Sequence, residues 1–134
     1  MNTPASRILV GMIGRVFWMR VEGKGTFQNS MQAKSAFQGV MARGVRSLVV
    51  DLDRCPMMDS TFLGMLTGAA LSVKTSSPPL SDTEGLSVVN ANQRNVQLLT
   101  SLGLDNILNL DTDGKMWTAE REKACAALQQ CDEA

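Results

Sequence analysis

The segment Ser47–Leu66, SLVVDLDRCPMMDSTFLGML, restricts the folds open to this chain more than any other stretch, because it sets a largely apolar strand a short loop before a helix start. Leu48, Val49, Val50 and Leu52 form a short run rich in β-branched residues, the pattern of a strand covered on both faces. Asp is a favoured N-cap, and Leu63, Leu66, Ala70 and Val73 follow at spacings of three and four that put them on one side of a helix. The helix is therefore expected to start at Asp59. Ser60 then sits at a helix N-terminus, where the first-turn amides are unpaired and the macrodipole is positive, so a phosphate on its hydroxyl is tolerated. Read from the residues alone, Asp59, Ser60 and Thr61 are capping residues and nothing more.

Elements alternate along the rest of the chain. Ile8–Val10 reads as a first strand and Val16–Val21 as a second, with Val16, Trp18 and Arg20 on one face and Phe17, Met19 and Val21 on the other. After a Gly-containing loop, Asn29 or Ser30 is expected to cap a helix reaching about Arg43, with Met31, Lys34, Phe37 and Met41 at helical spacing and Gly44 as its stop. Beyond the Ser60 helix, TSSPPLSDTEG at residues 75–85 is an exposed loop, read as a surface insertion. Leu86–Asn90 is then a strand, Asn92 caps a helix to about Leu102 that Gly103 ends, and Ile107–Leu110 is a short strand. A last helix is expected from Trp117 or Thr118 to Gln130. This order predicts an α/β fold in one domain spanning residues 1–134, a mixed β-sheet with covering α-helices.

Composition narrows the function. Thirteen basic and thirteen acidic residues balance, which points to protein partners and not to nucleic acid or an anionic membrane. No apolar run nears the ~18 residues of a membrane helix, and the N-terminal segment has no signal-peptide pattern, so a cytoplasmic location is expected. Cys55, Cys125 and Cys131 are odd in number and lack C-x-x-C spacing. With no histidine in the chain they make no zinc site and read as reduced thiols, and a Ser-His-Asp arrangement cannot be built. Neither an enzyme nor a cofactor or metal site is expected. The glycines at 11, 14, 23 and 25 fit turns better than a phosphate loop. Of Met57 and Met58, alternation should bury one and expose the other, and Trp18 and Trp117 read as packing residues.

The run Val50-Asp51-Leu52, Met58-Asp59-Ser60-Thr61, Leu63-Gly64 resembles the strand-to-helix signature of STAS domains, specifically bacterial anti-sigma-factor antagonists. VFWMRVEG at 16–23 is similar to the family's second strand and loop, and NQRNVQLLTSLGLDNIL at 92–108 to its later helix with paired leucines and a glycine stop. The resemblance covers nearly the whole chain and implies a STAS-like mixed sheet with covering helices. It also implies partner switching. Unphosphorylated, such a protein binds an anti-sigma factor with serine kinase activity and frees a sigma factor; phosphorylated by that kinase on the serine after the aspartate, here Ser60, it lets go, and a PP2C-type phosphatase resets it. Met58, Asp59, Thr61, Phe62, Gly23 and Thr26 are the partner-contact residues this implies. Two positions depart from the family. Phe62 stands where glycine is usual, with partial exposure expected from the helix phase, and the loop after the second strand lacks its acidic residue, although Thr26 is placed to hydrogen-bond near Ser60. Both departures favour the alternative of a STAS scaffold or transport-associated interaction domain that is never phosphorylated.

Overall fold

A computed structural model describes residues 6–76, 78–81, 84–112, 123, 126 and 128–130. Gly14, at φ +58°, and Arg15 close a tight turn between β1 (Arg7–Ile13) and β2 (Val16–Glu22), which pair antiparallel with Ile8 opposite Val21 and Met12 opposite Phe17. From there the chain climbs through helical crossovers. The helix α1 (Phe27–Ala42) leads to β3 (Ser47–Asp51), parallel to β2, and α2 (Ser60–Lys74) leads to β4 (Gly85–Val89), parallel to β3. Next come α3 (Gln93–Ser101), a 3-10 turn over Leu104–Asn106 and β5 (Asn109–Leu110), parallel to β4. Gln129–Gln130 forms β6, antiparallel to β1. The mixed sheet therefore runs β5-β4-β3-β2-β1-β6.

Alternation along the strands divides the interior in two. Phe17, Met19 and Val21 of β2, Leu48 and Val50 of β3, and Leu86 and Val88 of β4 share one core with Phe37 of α1, Leu66 of α2 and Leu99 of α3, so all three helices cover one side of the sheet. Phe17 and Phe37 meet edge to face, their centroids 5.9 Å apart. Trp18, Val49 and Val89 point to the opposite face, packed with Ile13, Val16 and Leu128.

The structure corrects four expectations. β1 extends to Ile13, and the strand expected at Ile107–Leu110 shrinks to two residues because the amides of Ile107 and Leu108 still bond the Leu104 carbonyl of the 3-10 turn, at 2.9 and 3.0 Å. The α1 cap is Thr26, three residues before Asn29: its hydroxyl accepts from the Gln28 amide while Asn29 reaches back to the Thr26 amide at 2.9 Å, a reciprocal box that starts the helix earlier. On this helix Asn29, Ser30, Ala33 and Phe37 face inward, whereas Met31 and Lys34, expected at helical spacing with Phe37, are exposed. Gln129 and Gln130 are strand, not helix end, and lie against Leu9 and Val10 of what is otherwise an open sheet edge. Of the expected last helix, Lys123 and Ala126 are helical; Trp117, Cys125 and Cys131 lie outside the described residues.

Loop 75–85 carries exposed Pro78 and Pro79 and is tied down by Arg46, which pairs with Glu84 at 3.1 Å, donates to Ser76 Oγ at 2.9 Å and also bonds the Pro78 carbonyl. The Ser81 amide and the Arg46 guanidinium hold the Glu84 carboxyl below its ordinary pKa.

Candidate functional site

Two loops meet at the C-terminal ends of β2 and β3. The Gly23 amide donates to the Arg54 carbonyl, the Gly25 amide to Met57, and the Asp59 amide back to Gly25, at 2.8–2.9 Å. Gly25 and Met58 form a parallel bridge. This zipper brings the N-termini of α1 and α2 to one point. Asp59 joins them: its Oδ1 accepts from the Phe62 amide of α2 at 2.8 Å and its Oδ2 from the Phe27 amide of α1 at 2.9 Å. One carboxylate thus caps two helices and sits at the positive end of both dipoles.

Beneath this surface the loop rests on α3. Asn92 caps α3 through the Asn95 amide and donates to the Pro56 carbonyl at 3.1 Å, while Asn95, fully buried, donates to the Cys55 carbonyl at 2.9 Å. Asp51 accepts from the Asp53 amide and from Asn90 Nδ2, fixing the start of the loop; Asn90 takes φ +60° to do so. Cys55 is a free, buried thiol that donates to the Met57 carbonyl, and burial pushes its pKa up.

Ser60 is the first residue of α2, exposed, and its hydroxyl makes no hydrogen bond among the described residues. Thr61 is exposed beside it. Lys24, Phe27 and Gln28 lie exposed on the loop and first turn of α1 across the zipper, Phe27 at 64%.

Two residues expected at a partner surface are in the core instead. Phe62 is 0% exposed and Met58 4%. Phe62 lies on the flank of the α2 stripe, which solvent would reach on an isolated helix, but the β2–α1 loop closes over it. Gly25 makes that closure possible: a Cβ there would lie 2.9 Å from the Phe62 ring and 3.2 Å from Met58. The large side chain on α2 and the missing side chain on the loop are two halves of one contact. Thr26 is spent on its own helix and bonds Gln28, not Ser60. Gly23, at φ +92°, has Ser6 pressed against the position a Cβ would take and serves the loop. Gly25, Asn92 and Asn95 support the site and were not singled out for it in the sequence, since no local pattern reports a contact with residues 30 or more positions away.

Ser60 at the head of α2, on a mixed sheet covered by helices on one side, has the placement that the STAS resemblance implied. The chain has the α/β fold of the anti-sigma factor antagonists. An anti-sigma factor antagonist from Mycobacterium paratuberculosis superposes with a TM-score of 0.68 at 19% identity, over 93% of this chain and 99% of that one. A Thermotoga maritima protein named as a candidate antagonist gives 0.67 at 18%, over 87% and 92%. The Bacillus cell-fate determinant SpoIIAA in its phosphorylated form gives 0.61 at 15%, over 86% and 98%. No family model and no curated protein sequence matches the chain. Among the described residues no helix is long and apolar enough to cross a membrane, and no group of acidic, histidine or cysteine side chains is placed to hold a metal ion.

Proposed function

We propose that the chain is an anti-sigma-factor antagonist whose binding is gated at Ser60. In this reading the unphosphorylated protein holds an anti-sigma factor with serine kinase activity through the surface around Ser60, Thr61 and the loop from Gly23 to Phe27, and a sigma factor is freed. The kinase transfers the γ-phosphoryl of ATP to Ser60 Oγ, ADP leaves, and the complex separates; a PP2C-type phosphatase restores the hydroxyl. The chain itself catalyses nothing, and it works in the cytoplasm with its partners.

The observation that carries the reading is the Ser60 hydroxyl, exposed and without a hydrogen bond among the described residues, at the head of a helix whose neighbouring aspartate already holds two helix ends. A phosphate of about −1.5 to −2 charges placed there meets the positive ends of α1 and α2 within the protein, yet repels and desolvates a partner surface built for a neutral hydroxyl. The likeness to a protein solved in its phosphorylated form supports the same reading. Phe62 no longer speaks for a constitutive scaffold, since it is core. The absent loop acid still does. Incubating the protein with ATP and its cognate kinase-type anti-sigma factor, followed by peptide mapping, is expected to place phosphate on Ser60. Phosphate on Thr61 alone, or none with a kinase proven active, refutes the assignment.

A further inference from the structure

We propose that the groove between α1 and α2 is a second docking surface, which receives an amphipathic helix of a protein partner, apolar along its ridge and acidic on the flank that faces α1. The proposal does not rest on switching at Ser60. The groove encloses about 350 Å³ and runs from Ser30 and Thr61 at the site end to Met41 and Ser72 at the other, with Phe37 and Ala69 in its floor. Each wall is about 16 Å long at 1.5 Å per residue, three helical turns. Its concave form suits a convex helical ridge and not a flat bilayer.

Charge identifies the partner. No acidic residue occurs between Glu22 and Asp51 or between Asp59 and Asp82, so both helices lack one. Lys34 lines the groove, and it, Lys24 in the loop before α1 and Arg43 just after the helix are exposed with no ion pair among the described residues. Thirteen acids balance the chain from elsewhere, which makes this face basic by arrangement and not by composition. Met31, 68% exposed, stands at the rim next to Phe27, an apolar entrance in an otherwise polar surface. On the facing wall Gly64 and Gly68 cost helix stability, yet an added Cβ at either would meet nothing within 4 Å. Nothing among the described residues requires those glycines, and close approach of a second backbone would.

The test is an NMR titration of the full labelled chain at low salt with a blocked synthetic helix carrying leucines at spacings of three and four and glutamates on one flank, against the same peptide with lysines on that flank. Saturable shifts at Met31, Lys34, Gly64 and Gly68 are expected, with the acidic peptide at least about tenfold tighter. Gly68→Leu fills the groove from open space and should weaken binding about tenfold or more while the protein stays folded. Lys34→Glu, a surface change, should reverse the preference between the two peptides. Absence of saturable shifts, shifts confined elsewhere, equal affinity for both peptides, or an unaltered Lys34→Glu variant overturns the proposal. So does sedimentation showing that a second copy fills the groove, or retention on vesicles containing phosphatidylserine without peptide binding.

Discussion

Replacing Asp59 by alanine should cost more than the loss of any ordinary helix cap, because two helices share this carboxylate. Removing the α2 cap costs about 1 kcal/mol. The second bond, from the Phe27 amide at 2.9 Å, is charge-assisted but half exposed, which places it near the low end of the ~1.5–3 kcal/mol range for hydrogen bonds to charged groups. Together they give about 2–3 kcal/mol for Asp59→Ala. Asp59→Asn keeps one acceptor and turns an NH2 toward the other amide, so about 1–2 kcal/mol is expected. Thr26→Ala, which removes an α1 cap made over 3.3 Å, serves as the single-cap reference at about 1 kcal/mol. Urea unfolding at constant m-value measures all three, and hydrogen exchange should show the Phe27 amide losing protection in Asp59→Ala before α1 as a whole does. An Asp59→Ala cost no larger than that of Thr26→Ala would show that the bridging bond adds nothing and that the two helix ends are held by the backbone zipper alone.

Phe62→Ala should destabilise by about 3–5 kcal/mol, the cost of truncating a fully buried Phe; a loss under about 1 kcal/mol in denaturant melts would return Phe62 to the surface. Gly25→Ala drives a Cβ into that ring and should cost about 1–3 kcal/mol, with Phe62→Leu recovering part of it in the double mutant. The Cys55 pKa is raised above its ordinary 9.0 by burial. The unfolded thiol therefore ionises first, and Cys55 stabilises fully below about pH 9 and progressively less as pH rises through the folded-state pKa. Urea melts of wild type and Cys55→Ala from about pH 7 to about pH 10.5 should show their difference narrowing only at the alkaline end. Ser60→Asp should leave stability within about 1 kcal/mol, because helix dipoles offset repulsion from Asp59; a loss above about 1.5 kcal/mol in thermal melts would mean that repulsion wins.

Most strands, helices and caps were legible where their cause lies within a few residues, the α1 cap at Thr26 being an exception. Asp59 and Asn92 cap the helices assigned to them because a capping oxygen reaches an amide two or three positions on, as it does from Asp59 to Phe62 and from Asn92 to Asn95. Gly44 and Gly103 end α1 and α3 at φ +89° and +73°, a backbone region that glycine enters freely. Leu63, Leu66, Ala70 and Val73 are buried as their spacing requires, and the alternation of β2 sorts Trp18 from Phe17 and Met19. Ser60 at a helix head belongs to the same class. It could be read from Asp59 and the apolar stripe behind it.

Only tertiary structure decided what depends on residues far apart in the chain. Periodicity locates the edge of a helix stripe, but not whether a loop 37 positions upstream will cover it, so Phe62 read as half exposed until Gly25 was seen to make room above it. Asp59 read as a cap for one helix; the second, through Phe27, exists because paired loops bring two helix starts together. Gln129 and Gln130 carry helix-compatible side chains, and the open edge of β1, which no window around them contains, makes them strand. Local pattern set most elements and the caps at Asp59 and Asn92 because capping and periodic burial act over one or two turns. Shared caps, loop closure and edge pairing were settled by the fold, since their energy comes from groups that meet only after the elements have packed.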